Sequence, residues 1–442
     1  MSVNAGARLD RLPISPFHRR VLTLIAIGMF FDGYDLYVAA TILGTTLHSG
    51  FSTLAQTAQF VSVTFVGMMI GSFLTGFLGD RYGRRFTYQA NLLVFGFASL
   101  ASAFAPSMSV LILLRGVTGI GLGAEFVAGY SALAEFLPPQ ARGRWCGILN
   151  AVVVASVPIT ALAGALLIPR FGWRIMFAIG GIGALIVWYL RKAMPESPRW
   201  LESVGRDEEA EKMLQQIELE VALDHHVVLP APALPPLELS DRSFSALFRP
   251  GLLSRLLVGA TTLIVANTLI YGFVTWLPTF FVQQGLSMAN SFRYSFLMSV
   301  GAPVGAAIGA STADLVGRKP AIISASTLAI IFGGIYPFVR DPILLTLTGF
   351  LLVVCIYFLV ALLFAIYIPE LFPTAVRMRA VGLCNTLGRA ATIFTPFLVV
   401  FLFRTYGIRG VVSLMIGLLV VQILVVHFYG IEPKMRSLEE MV

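Results

Sequence analysis

The chain is dominated by long apolar stretches, each about as long as a membrane-spanning helix. About 20 helical residues cross the ~30 Å hydrocarbon core of a bilayer. Twelve stretches of this kind, joined mostly by short loops, lie at residues 20–44, 57–79, 86–105, 109–133, 145–169, 173–193, 255–282, 291–313, 320–339, 343–368, 380–403 and 408–430. In lipid each stretch must satisfy its own backbone hydrogen bonds, so the sequence predicts an all-α membrane protein with twelve spans.

The composition agrees with this fold class. Only 12% of the 442 residues are charged, about half the roughly 25% of soluble domains. The net charge of +8 does not indicate a nucleic-acid partner, because the basic residues form short clusters between apolar stretches. Cys146, Cys355 and Cys384 have no CxxC spacing, and the histidines have no metal-ligand spacing. We therefore predict no disulfide, no metal, no cofactor and no enzymatic activity.

A polar segment divides the spans six and six. It predicts an N-terminal bundle over 1–193, a connector over 194–254 with a charged surface helix at 202–221, and a C-terminal bundle over 255–442. Of the 31 Lys and Arg residues, 23 lie on the side of both termini and 6 on the other side. Cytoplasmic loops carry the excess of positive charge, so both termini are predicted to be cytoplasmic, in a plasma or inner membrane.

Two short charged motifs occur once in each half. Asp80–Arg85 recurs as Asp314–Lys319 at an offset of 234 residues, and Glu135 recurs as Glu370 at an offset of 235. Two motifs at one spacing indicate a duplicated six-helix unit. We predict that these loops form gates, the alternative being turns that only orient the chain in the membrane. The predicted gating residues are Asp80, Arg81, Arg84, Arg85, Glu135, Arg142, Asp314, Arg318, Glu370 and Arg377.

Several motifs resemble the major facilitator superfamily over nearly the whole chain. Gly76-x3-Asp80-Arg81-x-Gly83-Arg84-Arg85 is similar to the loop-two signature of that superfamily. The motifs similar to its branch of sugar porters and organic-ion carriers are Gly33-Tyr34-Asp35, Arg115-x3-Gly119, Glu135-Phe136-Leu137-Pro138 with Arg142-Gly143, and Pro195-Glu196-Ser197-Pro198-Arg199-Trp200. Gly121-Leu122-Gly123-Ala124-Glu125 resembles bacterial nicotinate-type carriers, and Asp32-Gly33-Tyr34-Asp35 resembles aromatic-acid/proton symporters.

The resemblance implies two six-helix bundles that rock about a central site, open alternately to either side of the membrane. It also implies a monomer. The loop of the second half departs from the pattern, because Leu315 replaces the first arginine. Its latch is therefore expected to be weaker.

Ionisable residues within spans are costly to insert, so each is a functional candidate. Asp32, Asp35, Arg115 and Glu125 are the candidates for proton coupling. Asp35 lies about 22 Å along the first helix, and Asp32 lies one turn before it on a neighbouring part of the same face. Arg115 is expected to hold Asp35 ionised when close, the alternatives being a static ion pair or a substrate contact. Three interpretations of Glu125 stay open: a second proton site, a contact to a cation, or a packing contact.

Arg389 is the main reason to predict an anionic substrate. It lies in the eleventh span without an acidic neighbour in sequence, and its planar fork matches a carboxylate. The alternative is that it pairs with Glu125 or another buried carboxylate. The other candidate substrate contacts are aromatic or amide side chains within spans, where Asn385 also repeats Asn150: Tyr34, Tyr37, Phe126, Tyr130, Asn267, Tyr271, Trp276, Tyr357, Phe364 and Asn385.

These residues predict a secondary transporter that couples the uptake of a small organic carboxylate, expected to be aromatic, to protons. Two alternatives within transport stay open: a sugar or polyol symporter, and an organic-cation or drug exporter. The seventh span reads Asn267-Thr268-Leu269-Ile270-Tyr271 and lacks the paired glutamines of sugar porters. The predicted partners are the small-molecule substrate, protons and the lipid bilayer.

Overall fold

The computed structural model describes residues 3–225, 229, 231, 247–283, 285–372 and 374–432. Every regular element in this part of the chain is helical. The first half forms α1 (Ala5–Asp10), α2 (Pro16–His48), α3 (Leu54–Tyr82), α4 (Arg84–Ser102), α5 (Met108–Phe136), α6 (Pro139–Phe171) and α7 (Arg174–Leu190). The connector forms α8 (Pro198–Ser203) and α9 (Asp207–His225). The second half forms α10 (Pro250–Gly272), α11 (Leu277–Gln283), α12 (Met288–Ser299), α13 (Gly301–Val316), α14 (Arg318–Ile335), α15 (Pro342–Val360), α16 (Ile368–Glu370), α17 (Thr374–Tyr406) and α18 (Ile408–Tyr429).

Ten helical stretches among the described residues are long and apolar enough to cross a membrane. The two other predicted spans, 86–105 and 291–313, coincide with α4 and with α12–α13. The helix α4 begins with two arginines, Arg84 and Arg85, and the second predicted span is broken between Ser299 and Gly301. The predicted surface helix at 202–221 is displaced, since α9 begins at Asp207 and runs to His225. The predicted limits of the two bundles stay predictions.

Two predicted spans of the second half are not uniform α-helices. The span over 255–282 changes at Gly272 into a 3-10 turn, Val274–Trp276, before α11 begins. The span over 343–368 continues from α15 into a π-helix, Ala361–Tyr367. Such irregular turns within spans are tolerated where they are buried in protein or line a cavity, and they are frequent at functional sites. Both breaks lie in spans that contact the first half of the chain.

Glycines draw the second and fourth spans of each half together, and they repeat at the motif offset. Added Cβ atoms at Gly67 and Gly71 of α3 would collide with backbone carbonyl oxygens of α5. Gly301 and Gly305, each 234 residues later, face backbone carbonyl oxygens of α15 in the same way. Small residues spaced by four let membrane helices approach closely. The duplicated unit is therefore duplicated in its packing as well as in its charged loops.

Replacing Gly71 by Ala is expected to lower the melting temperature of the purified protein. The new methyl group would collide with the carbonyl oxygen of Ile120, and overpacking of this kind costs about 1–3 kcal/mol. Gly417→Ala is the control, because no heavy atom lies within 4 Å of the added Cβ in α18. Differential scanning fluorimetry measures both variants, and an equal shift in the two would contradict the close-packing explanation.

The short N-terminal helix α1 is bound to the connector. Arg8 donates hydrogen bonds to both carboxylate oxygens of Glu218 on α9, at 2.9 and 2.7 Å. The carboxylate of Glu202 accepts from the backbone N–H groups of Asn4 and Ala5 at the start of α1. Burial alone would raise the pKa of Glu218, but its hydrogen bonds with Arg8 and Arg11 hold it below the usual value. The N-terminus and the connector therefore lie at the same end of the helices.

Candidate functional site

A buried ion pair lies in the core of the first half. Asp35 on α2 and Arg115 on α5 are both almost fully inaccessible, and Nη1 of Arg115 donates to Oδ2 of Asp35. Ser99 on α4 donates to the other oxygen of Asp35 at 2.8 Å, and Arg115 Nε donates to Thr64 on α3 at 3.3 Å. The guanidinium also lies 5.0 Å from the ring centre of Phe60. Residues of α2, α4 and α5 thus meet at one carboxylate, and α3 contacts its arginine. Sequence reasoning identified the two charged residues, Asp35 and Arg115.

Asp32 faces a different arginine from Asp35. Its charged neighbours are Glu125 on α5, Arg191 just after α7, and Asp35. Arg191 Nη1 donates to Glu125 Oε1, and both residues are 1% exposed. Asp32 and Asp35, which the sequence predicts on one helix face, therefore lie near different arginines. Asp35 binds Arg115, and Asp32 has Arg191 as its neighbour. Glu125 is bound to Arg191, so the alternative that it pairs with Arg389 is wrong.

Sequence reasoning missed Arg191 and counted it among the cytoplasmic cations, although it lies near the end of the predicted span 173–193. Its guanidinium turns back into the bundle, where it donates to the backbone oxygens of Leu24 and Ile25, each at 2.8 Å. Gly28 makes room for it, because an added Cβ there would collide with the guanidinium. The only sequence signal was its position at the cytoplasmic end of the predicted span 173–193, which equally fits a side chain directed to the cytoplasm.

Three tyrosines meet where the two halves of the chain contact each other. The Tyr357 hydroxyl on α15 donates to the Tyr37 hydroxyl on α2 at 2.8 Å. Tyr271 on α10 lies near both hydroxyls and packs edge-on against Phe65 of α3, 4.5 Å between ring centres. Arg389 on α17 is half-buried and lies within electrostatic range of Tyr271. The structure thus brings four of the predicted substrate contacts together, on four different spans.

A small apolar cavity lies beside this cluster, between α2, α6, the turn after α10 and α12. Among its lining residues are Tyr37, Thr41, Val157, Phe292 and Ser295. The hydroxyl of Ser295 is buried and has no hydrogen-bond partner among the described residues. This small cavity therefore places an unsatisfied hydroxyl on a mainly apolar wall next to Tyr37.

The described contacts of three other predicted aromatic residues each stay within one half of the chain. The Tyr34 hydroxyl donates to the backbone oxygen of Met176 at 3.3 Å. The Tyr130 hydroxyl donates to Asn150 Oδ1 at 3.3 Å. Trp276 is 1% exposed and stacks on Phe280 at 6.3 Å between ring centres. Their described contacts are those of packing residues.

The remaining predicted contacts differ in position. Asn267 packs against Gly388, next to Arg389, and its amide donates to the Leu263 carbonyl at 2.8 Å. Asn385 donates to the Val381 carbonyl of its own helix at 2.9 Å. Phe364 is partly buried in the π-helix. The side chain of Phe126, like those of the predicted gating residues Asp80, Arg142, Asp314 and Arg377, lies outside the described part of the structure.

The two charged loops have the same geometry. Gly83 and Gly317 adopt φ of 96° and 98°, values that favour glycine. Backbone N–H groups of Arg84 and Arg85 donate to Glu196 at 3.0 and 3.1 Å. In the second half, those of Arg318 and Lys319 donate to Glu432 at 3.0 and 2.8 Å. Each carboxylate thus occupies the positive N-terminus of a helix, α4 or α14. Sequence reasoning assigned no role to either glutamate.

Ion pairs join each loop to the motif that follows it in the same half. Arg84 Nε donates to Glu135 at 3.0 Å. Arg318 donates to both carboxylate oxygens of Glu370, at 3.0 and 3.1 Å. The remaining predicted gating residues Arg81 and Arg85 are exposed; Arg85 donates to the Lys192 carbonyl and Arg81 lies 5.4 Å from the Tyr82 ring centre. The ion pair between arginine and glutamate therefore forms in both halves, although the second loop has Leu315 where the first loop has Arg81.

Comparison with known proteins places this geometry in a family. Residues 21–442 match the family model described as sugar (and other) transporter. The inner membrane metabolite transport protein YdjE of Escherichia coli K12 is 36% identical over 98% of this chain and 97% of that protein. The niacin transporter NiaP of Acinetobacter baylyi is 30% identical over 98% of each chain. A solved structure of the E. coli xylose transporter XylE, partially occluded and inward-open, matches with a TM-score of 0.74 and 18% identity, over 96% of this chain and 100% of that chain.

The likeness to XylE confirms the predicted fold of twelve spans in two six-helix bundles. The relatives are membrane transport proteins and not enzymes, as the sequence predicted. The chain is therefore an integral membrane transporter of metabolites that belongs to the sugar (and other) transporter family of the major facilitator superfamily.

Proposed function

We propose that this transporter couples the inward movement of a small aromatic carboxylate to protons by alternating access. One observation carries the proposal: α2 bears Asp35, bound to Arg115 inside the first half, and two residues later Tyr37, bound to Tyr357 of the second half. A change in the charge of Asp35 thus acts on the same helix segment that contacts the substrate region. Protons and substrate are coupled through α2.

The ion pair supplies the switch. When Asp35 is ionised, it holds Arg115 and keeps α2 against α5. When a proton neutralises Asp35, the Coulombic attraction is lost, and α2 can move relative to α5. Since a buried guanidinium without its anion is costly, the protonated state favours a rearrangement that gives Arg115 other partners besides the Thr64 hydroxyl that it already contacts at 3.3 Å. Alternation of these two states lets the proton gradient drive the transport cycle.

Arg389 and the tyrosine cluster support the substrate class. A guanidinium binds a carboxylate through two parallel hydrogen bonds, and tyrosine rings bind a planar aromatic group by edge or face contacts. Arg389, Tyr271, Tyr37 and Tyr357 therefore offer complementary chemistry at the interface of the two halves, with Asn267 beside them. The relative NiaP transports niacin, which is itself a small aromatic carboxylate.

Thermal-shift screening followed by uptake into proteoliposomes tests this proposal. Small aromatic carboxylates are expected to raise the melting temperature, and an inward proton gradient is expected to drive their accumulation. Matched aromatic amides, sugars and organic amines are the controls. Stabilisation by a sugar or an amine, with none by any carboxylate, would overturn the substrate class, and accumulation that ignores the proton gradient would overturn the coupling.

We further propose that the two charged loops are cytoplasmic gates, with both termini in the cytoplasm and the protein a monomer. The excess of Lys and Arg on that side supports this orientation. Glu196 and Glu432 each accept hydrogen bonds from the start of a helix, α4 or α14. These contacts support gating if they break and re-form once per transport cycle. The side chains of Asp80, Arg142, Asp314 and Arg377 belong to the same proposal on sequence grounds alone.

Arg318→Ala is expected to reduce the transport rate about tenfold or more while leaving the substrate Kd within about twofold. The change removes hydrogen bonds to the charged Glu370, worth roughly 1.5–3 kcal/mol, from one state of the cycle. Arg20→Ala is the control, since its ion pair with Glu220 is exposed and contributes little. Initial rates and binding are measured separately, and a loss of binding with an unchanged rate would argue against gating.

A further inference from the structure

Asp32 is a buried carboxylate without a described hydrogen-bond donor. It is 0% exposed, and neither of its oxygens accepts a hydrogen bond from any residue that the structure describes. Oε2 of Glu125 is also buried and has no hydrogen-bond partner among the described residues. By contrast, Asp35 one turn later receives bonds from Ser99 and Arg115. The two aspartates of α2 are therefore not equivalent.

The charges in this core do not balance. Asp35 and Arg115 neutralise each other, and Arg191 neutralises Glu125. The groups that face Asp32 are Asp35 on α2, Glu125 on α5 and Arg191, with Tyr88 of α4 against Arg191. Among the residues that the structure describes, these groups include no second cation, so an ionised Asp32 would leave one surplus negative charge. A buried carboxyl group in that position becomes neutral by binding a proton.

We propose that Asp32 is protonated in the conformation of this structure and that Arg191 controls the release of its proton to the cytoplasm. The inference rests on the proposed proton coupling and adds a second carboxyl group and a missed arginine to it. In the step, the O–H bond of Asp32 breaks, the proton leaves to cytoplasmic water, and the electron pair stays on the carboxylate. Arg191 then shifts from Glu125 alone to a position shared with Asp32, which stabilises the new negative charge.

The location of Arg191 fits this role. It follows α7 directly, and the next residues lead to Glu196, which caps α4 in the first charged loop. The Tyr88 ring connects the two places, since it lies 5.7 Å from the Arg191 guanidinium and its hydroxyl contacts the Pro195 carbonyl at 3.5 Å. Opening of this loop would therefore displace Arg191 and admit water toward Asp32. Proton release is thereby linked to the cytoplasm-open state.

Asp32→Asn and Asp35→Asn form a matched pair of tests. Asn resembles a protonated Asp, so Asp32→Asn is expected to keep the wild-type melting temperature, whereas Asp35→Asn leaves Arg115 unpaired and lowers it by about 5 °C or more. Infrared difference spectroscopy is expected to find a protonated carboxyl stretch at neutral pH that disappears in Asp32→Asn. A large loss of stability in Asp32→Asn, or no such band, would overturn the proposal.

Transport then tests the role of Arg191. In proteoliposomes, Asp32→Asn and Arg191→Gln are expected to reduce proton-driven accumulation about tenfold while retaining substrate exchange at equal pH. The dependence of net uptake on internal pH should also disappear, which loss of a purely structural contact would not cause. If the wild type and both variants accumulate substrate equally well with the proton gradient, the roles proposed for Asp32 and Arg191 are wrong and the proposed function is unaffected. If the wild type ignores the proton gradient, the proposed function fails.

Discussion

Replacing Asp35 by Asn is expected to abolish proton-driven accumulation, by at least about tenfold, while substrate exchange at equal pH continues. The neutral amide cannot alternate between charged and protonated forms, so the proton gradient can no longer make and break the ion pair with Arg115. Removing one partner of a buried ion pair also costs about 3–5 kcal/mol. The single variant must therefore be measured for folding as well as for transport.

A double variant separates these two effects. In Asp35→Asn/Arg115→Gln neither partner is charged, so the unpaired guanidinium disappears and the melting temperature is expected to recover most of its loss. Accumulation is expected to stay absent, because position 35 still cannot change its charge. Glu209→Gln serves as the control, since its ion pair with Arg206 is exposed and contributes little to stability. Proton-driven accumulation by the double variant would show that coupling occurs elsewhere.

Replacing Arg389 by Ala is expected to weaken the binding of aromatic carboxylates about tenfold to a hundredfold. Hydrogen bonds to a charged group contribute roughly 1.5–3 kcal/mol, and each 1.4 kcal/mol is a factor of ten in Kd. Arg389→Lys keeps the charge but loses the planar fork, so an intermediate affinity is expected. Titration followed by calorimetry or by thermal shift measures the three Kd values.

Two comparisons make this result specific. Arg404 lies on the same helix, α17, but is exposed near its end, so Arg404→Ala is expected to bind carboxylates as the wild type does. The amide of the same aromatic acid carries no charge, and its weak binding should be unaffected by Arg389→Ala. If Arg389→Ala weakens the amide and the acid equally, the residue contributes to packing and does not bind the carboxylate. If neither is weakened, the carboxylate clamp is wrong.

Much of the architecture follows from the sequence because its signals are local. Span length and apolar character predict a helix in lipid without reference to any other residue. The offset of 234 residues revealed the duplication, and the structure extends it to the turn glycines Gly83 and Gly317 and to the packing glycines Gly67 and Gly301. Breaks such as the one after Gly272 were not predicted, because apolar residues continue across them.

The sequence by itself thus determined that this chain crosses the membrane about twelve times as a duplicated unit, and which residues within the spans are costly enough to be functional. Only the tertiary structure decided the partners of those residues. Asp35 and Arg115 are 80 residues apart, and Tyr37 and Tyr357 are 320 apart. Arg191 turns into the bundle beside Glu125 instead of toward the cytoplasm. Such pairings depend on how packed helices are rotated and on the space that Gly28 leaves, and neither is encoded in hydropathy or motif spacing.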